Sequence, residues 1–462
     1  MMMRPFAPTT RHRRFGRAAS VLFGIGLLLT PLYAGAQDAP AAGDSATQGD
    51  ISGIEVEVSG SARRTLLPMA VPDTQALAGA DGTIADQVEQ TLRRNLDLAG
   101  YFRVLPVDSF FFDTHNEGVA AADINFSNWM NVGAQGLVKS TVRAEGDQIA
   151  LDLRLFSVDQ GRQVSLNWSA STLSPDDVQK EVNAFINAVI EHYTGQPGFF
   201  GSRIAYSQRT RSGAKHIYVM NIDGSGVQRI TRNNAINLLP SFGPGGAVYF
   251  TSYQDQNPDL WVWRGGRVSK LSSRSGQNSG AASCGGKLAL TLSLGGDNTD
   301  VYLISPEDGS VVQRLTDHWA IDVSPTWSPD CSRIAFVSGR SGGAHIYVMN
   351  ADGSEQRRLT FQGTYNTTPE WSPRGDRIVF SGRDERNHYD IFAVDLQGNI
   401  ERLTQDQGNN FEPSYSPDGR YIVFTSDRGG QGKRLWLMSA DGLFQKLLTE
   451  EGSGYEEAAW ER

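Results

Sequence analysis

Six times along the carboxy-terminal part of the chain, Arg-Leu-Thr or a close variant closes a stretch of similar length, at Thr231, Ser272, Thr316, Thr360, Thr404 and Thr449. The intervals are 41, 44, 44, 44 and 45 residues, the period of a β-propeller blade. Six endings imply six blades. The fourth repeat shows the parts best: Pro325 to Asp330, Arg333 to Ser338, Ile346 to Met349 and Arg357 to Thr360 read as four short strands. Asp223-Gly224, Asp308-Gly309, Asp352-Gly353 and Asp441-Gly442 supply a glycine where tight hairpins need positive φ. Ile217-Tyr218, Leu260-Trp261, Val301-Tyr302, Ile346-Tyr347, Ile391-Phe392 and Leu435-Trp436 recur at one position and are expected to pack between blades. The first repeat begins at Arg203 without the Pro-x-Trp-Ser-Pro segment, and Gly454 to Trp460 supplies it from the other end of the chain. The ring is therefore expected to close on its carboxy-terminal strand, which removes a free sheet edge.

The chain has 462 residues, too many for one ordinary core. Residues 1–36 hold Arg4, Arg11, Arg13, Arg14 and Arg17, an apolar run from Ala18 to Leu29, and Ala34-Gly35-Ala36, the order of a signal peptide cleaved after Ala36. The run is too short for a permanent membrane span. Gly16-Arg17 after Arg13-Arg14-Phe15 departs from the twin-arginine pattern, so the general secretory route is expected, with a periplasmic destination. No other run could cross a membrane. Loss of five arginines and no acid takes the formal charge from −9 to −14, which disfavours nucleic acid and anionic lipid as partners.

Residues 37–50 are Ala, Gly, Ser, Asp and Gln with little to bury, a tail. Between 51 and 194 the pattern is α/β. Ile54 to Val58 alternates and Leu66 to Val71 reads as a buried strand. Ile84, Val88, Leu92 and Leu96 make a helix ending at Gly100, and Tyr101 to Leu105 is the next strand. A short helix is expected over Phe126 to Met130. Strands follow at Leu137 to Val142, Ile149 to Val158 and Gln163 to Ala170. Ser174-Pro175 caps a helix over 176–193. Gly195-Gln196-Pro197-Gly198 links this domain to a propeller over 199–462. The expected fold is thus multidomain: an α/β domain, then an all-β six-bladed propeller.

Few residues suggest chemistry. Gly339-Arg340-Ser341-Gly342-Gly343 has the Gly-x-Ser-x-Gly spacing of a serine hydrolase, but it falls between two strands of a blade, where no strand-to-helix elbow can form. His216 and His345 share one blade position with Asp259, Asp300, Asp390 and Arg434, and His115, His192, His318 and His388 lack ligand spacing, so no metal site or other cofactor is expected. Glu412, Glu456 and Glu457 read as solvated rim charges, with a cation held in the central channel as the lesser alternative. Cys284 and Cys331 fall within one position of each other in the same turn of blades 3 and 4. They either pair in an oxidising compartment or stay as two buried thiols. No nucleophile, base and orienting group stand together, which argues against an enzyme.

The repeats, with Trp327-Ser328-Pro329-Asp330, Arg333-Ile334-Ala335-Phe336 and Ile346-Tyr347-Val348-Met349-Asn350-Ala351-Asp352-Gly353-Ser354, resemble those of the TolB family. In the first domain, Ala85-Asp86-Gln87-Val88-Glu89, Gly100-Tyr101-Phe102-Arg103, Asn128-Trp129-Met130 and Ala134-Gln135-Gly136-Leu137-Val138 are similar to that family's amino-terminal domain. The resemblance implies a periplasmic scaffold of the Tol-Pal envelope system, without enzymatic activity, that supports outer-membrane integrity and constriction at division. Its implied partners are the peptidoglycan-associated lipoprotein Pal, the inner-membrane protein TolA and, as further candidates, other outer-membrane proteins. By that resemblance the Pal-facing rim is Gln277, Asn278, Ser279, Gly280, Asp322, Val323, Ser324, Asn366, Thr367, Thr368, Asn410, Phe411 and Glu412. The implied TolA segment is Ile54, Glu55, Val56, Glu57, Val58 and Ser59. The alternative is a carbohydrate-binding or hydrolytic propeller, since fold alone does not settle function.

Overall fold

The computed structural model of the chain describes residues 65–77, 79–169, 171–294 and 298–462. The expected signal peptide, the tail over 37–50 and the segment from Ile54 to Ser59 lie outside the described residues.

The first domain is built on β1 (Leu67–Ala70), with β2 (Gln75–Ala76), α1 (Gly82–Leu98) and β3 (Phe102–Val104) following. Helix α1 starts at Asp81, whose carboxylate accepts the Thr83 amide at 3.0 Å, and ends before Gly100, where φ is 71°. It buries Val88, Leu92 and Leu96 and carries the chain back so that β3 runs parallel to β1. After α2 (Phe126–Asn131), β4 (Gly136–Glu145) and β5 (Gln148–Ser157) form a long antiparallel hairpin about Gly146. β4 is parallel to β1 on its other side, and β2 pairs with β4.

Among the described residues Gln163 to Ser169 do not form a single strand. The chain pairs with β5 at β6 (Arg162–Gln163), which Val164 N–H extends by one bond to the Leu155 carbonyl, and again at β7 (Ser171–Leu173). Between them Trp168 leaves the ladder, sets its ring edge-on to Phe185 at 5.2 Å and donates its Nε1–H to Glu181 at 2.8 Å. Both partners lie on α3 (Val178–Thr194), entered through a 3-10 turn at Pro175–Asp177.

Six four-stranded antiparallel sheets follow, and the first strands of neighbouring blades contact one another right round the ring. Blade 1 is closed by Tyr455–Trp460, which pairs with Arg203–Arg209 in the register Tyr455 to Gln208 and Trp460 to Ile204. Several fourth strands are short: in blade 4 the strand ends at Arg357–Arg358 instead of running to Thr360, whereas in blade 2 it runs from Arg267 to Ser272. The Arg-Leu-Thr motif gives the reason. Leu359 turns into the core, and the Thr360 hydroxyl accepts the Ile346 amide at 3.0 Å. Thr231, Thr316, Thr404 and Thr449 do the same for Ile217, Val301, Ile391 and Leu435. Those third-strand residues fill the gaps between blades, as with Ile217 against Val248 and Phe250, and Ile346 against Trp371, Ile378 and Phe380.

The α/β domain rests on blades 1 and 6. Tyr421 donates its hydroxyl to the Ala99 carbonyl at 2.6 Å, Lys446 pairs with Asp97 at 2.6 Å, and the buried Asp223 accepts from Gln179 at 2.9 Å and Asn183 at 2.8 Å. Among the described residues no helix is long and apolar enough to cross a membrane.

Candidate partner-binding face

The innermost strands begin at Asn237, Asn278, Asp322, Asn366, Asn410 and Tyr455, and each breaks register in its middle. The break falls on a left-handed residue: Leu239 (φ 53°), Gly280 (65°), Ser324 (54°), Thr368 (49°), Glu412 (56°) and Glu457 (58°). In four blades a proline follows, Pro240, Pro325, Pro369 or Pro413. A bulge leaves a residue out of the ladder, and proline has no amide hydrogen to lose there. The turned amides reach across to the neighbouring blade. Ser324 N–H donates to the Thr291 hydroxyl at 3.2 Å, Glu412 N–H to the Ser381 hydroxyl at 2.9 Å, Glu457 N–H to the Glu412 carboxylate at 2.6 Å and Leu239 N–H to the Glu457 carboxylate at 2.9 Å.

This arrangement sorts the thirteen residues of the expected rim. Asn278, Ser279, Asp322, Asn366, Asn410 and Glu412 are buried. Their polar groups bind the ring itself: Asn278 accepts from Ser272 at 2.7 Å, Asp322 pairs with Arg340 at 2.7 Å, Asn366 donates to the Gln362 carbonyl at 2.9 Å, and Asn410 accepts from Arg428 at 2.7 Å. Gln277, Gly280, Val323, Ser324, Thr367, Thr368 and Phe411 keep part of their surface in solvent. The loops just before these strands carry what the sequence reading missed. Trp319 is 79% exposed and Phe361 65% exposed. Their signal in the sequence was a large apolar side chain in the loop that separates one repeat from the next.

The three carboxylates are not solvated rim charges. Glu412, Glu456 and Glu457 are buried at the closure between blades 6 and 1, because the closing strand brings two of them against Lys215. Lys215 contacts Glu456 and stands 3.8 Å from Glu457, while Lys433 lies 3.7 Å from Glu456. Burial pushes the Glu412 carboxyl up to about 7, reinforced by the Glu457 charge. Burial works the same way on Glu456, but Lys215, Lys433 and Arg209 outweigh it and hold that carboxyl below its usual range.

The histidine slot is structural. His216 lies 3.0 Å from Arg229 and His345 3.1 Å from Arg358, where other blades set Asp259 against Lys270 at 3.0 Å and Asp300 against Arg314 at 2.6 Å. Burial and the neighbouring Arg358 push His345 down to about 4. Among the described residues no three His, Cys, Asp or Glu side chains form a metal-binding group. Ser341 sits in the turn between Arg333–Ser338 and His345–Asn350 with its hydroxyl on Tyr347. At the other end of the ring Cys284 and Cys331 stand in disulfide geometry across blades 3 and 4, Cα to Cα 5.7 Å.

Residues 190–462 match the family model of the TolB beta propeller domain and residues 54–164 that of the TolB amino-terminal domain. The Tol-Pal system protein TolB of Desulfosudis oleivorans is 38% identical over 263 residues, covering 55% of this chain and 58% of the relative. That of Anaeromyxobacter dehalogenans is 40% identical over 265 residues, 56% of this chain and 59% of the relative. The matched stretch thus spans less than two thirds of those relatives. The crystal structure of TolB from Acinetobacter baumannii is similar in fold, with a TM-score of 0.72 over 86% of this chain and 96% of that one, at 22% identity. Both domain models are matched in order and the propeller model alone covers more than half of the sequence: the chain belongs to the TolB family.

Proposed function

We propose that the chain is a non-catalytic, protein-binding scaffold of the Tol-Pal system in the periplasm, delivered there by its cleaved signal peptide. In this reading the loop face of the propeller takes Pal, and Ile54 to Ser59 take TolA. Other outer-membrane proteins are further candidates, and the function served is outer-membrane integrity and constriction at division. The relatives named above carry that system in their names. The observation that supports binding at the loop face is the pair of exposed aromatics, Trp319 and Phe361, on adjacent loops. Aromatic side chains of this size are the usual anchors of protein interfaces, and the α/β domain covers other turns, at Asp223, Tyr421 and Phe444.

Titration of the protein from Gln37 onward with the soluble domain of its own Pal tests this. Saturable binding weakened about tenfold or more by Trp319→Ala or Phe361→Ala is expected. Binding that ignores both variants moves the site elsewhere. Binding to peptidoglycan fragments in place of Pal overturns the reading in favour of a carbohydrate-binding propeller.

A further inference from the structure

The loop face is chemically lopsided. Where each second strand runs into its loop, one residue donates its amide to the carbonyl just before the neighbouring innermost strand: Arg209, Tyr253, Ser293, Gly339, Arg383 and Asp427. Of these, only Arg383 is a cation lying against two aromatic rings. Its guanidinium lies 4.7 Å from the Tyr365 ring centre and 5.4 Å from that of Tyr389, and it donates to the Tyr389 hydroxyl at 3.1 Å. Tyr389 continues to Phe411, 4.9 Å away in blade 6, and Lys433 Nζ lies 4.8 Å from the Phe411 ring centre. These side chains are partly exposed and form an arc across blades 5 and 6.

Several other arginines of this face are already engaged within the ring. Arg340 is on Asp322 at 2.7 Å, Arg386 is on Asp406, Arg209 is 4.0 Å from Glu456, Arg428 donates to Ser426, Gln445 and Asn410, and Arg274 donates to Ser272. Among the described residues Arg383 holds no carboxylate. Resting on the function proposed above, we propose that the arc Tyr365, Arg383, Tyr389 and Phe411 anchors the protein partner, and that Arg383 receives a carboxylate side chain of that partner.

The chemistry favours this occupant. A guanidinium lying against two rings, with one Nη on the Tyr389 hydroxyl, keeps further N–H donors for contact with a carboxylate. The rings hold it in place before binding, so little freedom is lost when the partner arrives. The rest of the chain carries a formal excess of acid, which makes a cation without an acid of its own the natural landing point for an incoming carboxylate.

The test is titration of the whole mature protein with the soluble domain of its own Pal at low and high salt, comparing wild type, Arg383→Gln and Arg383→Lys. Arg383→Gln is expected to weaken binding about 10- to 100-fold and to flatten its salt dependence, as loss of a charge-assisted pair should. Arg383→Lys keeps the charge and the stem over the rings but not the fork, and is expected to fall between the two. Should Arg383→Gln melt early, Arg383→Lys decides by the same comparison. Wild-type affinity and salt slope in both variants overturn the proposal and leave the scaffold reading standing. A loss of binding to peptidoglycan fragments with Pal binding intact also overturns it, since the arc then serves sugars. No binding of Pal by the wild type overturns the scaffold reading and this proposal with it.

Discussion

At Glu412 a carboxylate stands in the left-handed bend of blade 6, with one oxygen accepting both the Glu457 amide at 2.6 Å and the Thr425 hydroxyl at 3.0 Å. Burial and the nearby Glu457 raise it to about 7, with Lys433 pulling the other way and Glu456 adding to the rise. Lys215 faces the same cluster, and its own affinity for a proton is raised because Glu457, Glu456 and Glu412 outweigh its burial. A carboxyl raised above its unfolded value makes the folded chain hold the extra proton. Its stabilising contribution is therefore full below the ordinary glutamate range and is lost as pH rises through about 7. Wild type is expected to lose about 2 kcal/mol between mildly acidic and mildly alkaline pH from this group. Glu412→Gln, which keeps an accepting oxygen, should lack that slope in chemical unfolding followed across pH. Parallel slopes in the two proteins would show that Glu412 is ionised throughout. The sequence did not reveal this, nor that Asn278, Asn366 and Asn410 face inward. A polar residue where a loop meets a strand reads alike whether it caps the bulge or faces a partner.

At the scale of elements the 44-residue period was legible because five of the six blades repeat the same buried contacts, an aliphatic side chain in the core and Thr on the third strand. Strand ends were not, since they depend on single side chains such as Trp168 and Leu359 leaving the ladder. The turn between the first and second strands carries a further irregularity. Blades 5 and 6 place Gly375 (φ 74°) and Gly419 (φ 68°) in it, whereas blade 4 places Cys331 at φ 57°. The same amide-to-carbonyl bond, 2.9 Å, closes all three turns. A side chain in that backbone region costs about 1 kcal/mol, a cost offset if the residue cross-links to Cys284. Such a link across 47 residues can contribute about 2–4 kcal/mol. Cys284→Ser should therefore destabilise more than Cys331→Gly, by about 1 kcal/mol, because only the second variant relieves the turn. Denaturant midpoints measure both, and blocking with an alkylating agent before reduction should add no mass to wild type. Two alkylated thiols without reductant would remove the cross-link from the account.

The whole molecule is tied together at the place where the ring closes. One apolar cluster runs from Val88, Leu92 and Phe185 of the α/β domain through Phe199, Ile204 and Tyr421 to Ala458 and Trp460 of the closing strand. Trp460 is buried, sits 6.0 Å from Phe199 between ring centres and donates its indole N–H to the Ser202 hydroxyl at 2.8 Å. The strand that carries it also bears Glu456 and Glu457 at its other end, beside the loop face. Closure of the propeller and seating of the α/β domain therefore use the same side chains, and neither is expected to melt alone. Trp460→Ala removes a large buried side chain from both, at a cost of about 3–5 kcal/mol. Calorimetry of wild type should show one cooperative transition, and the variant one transition at a lower temperature. A variant in which the propeller melts early while a second transition stays at the wild-type temperature would mean that the α/β domain holds itself together. In that case a partner loading the loop face could not reach that domain through the closing strand, and any coupling between the two binding regions would need another route.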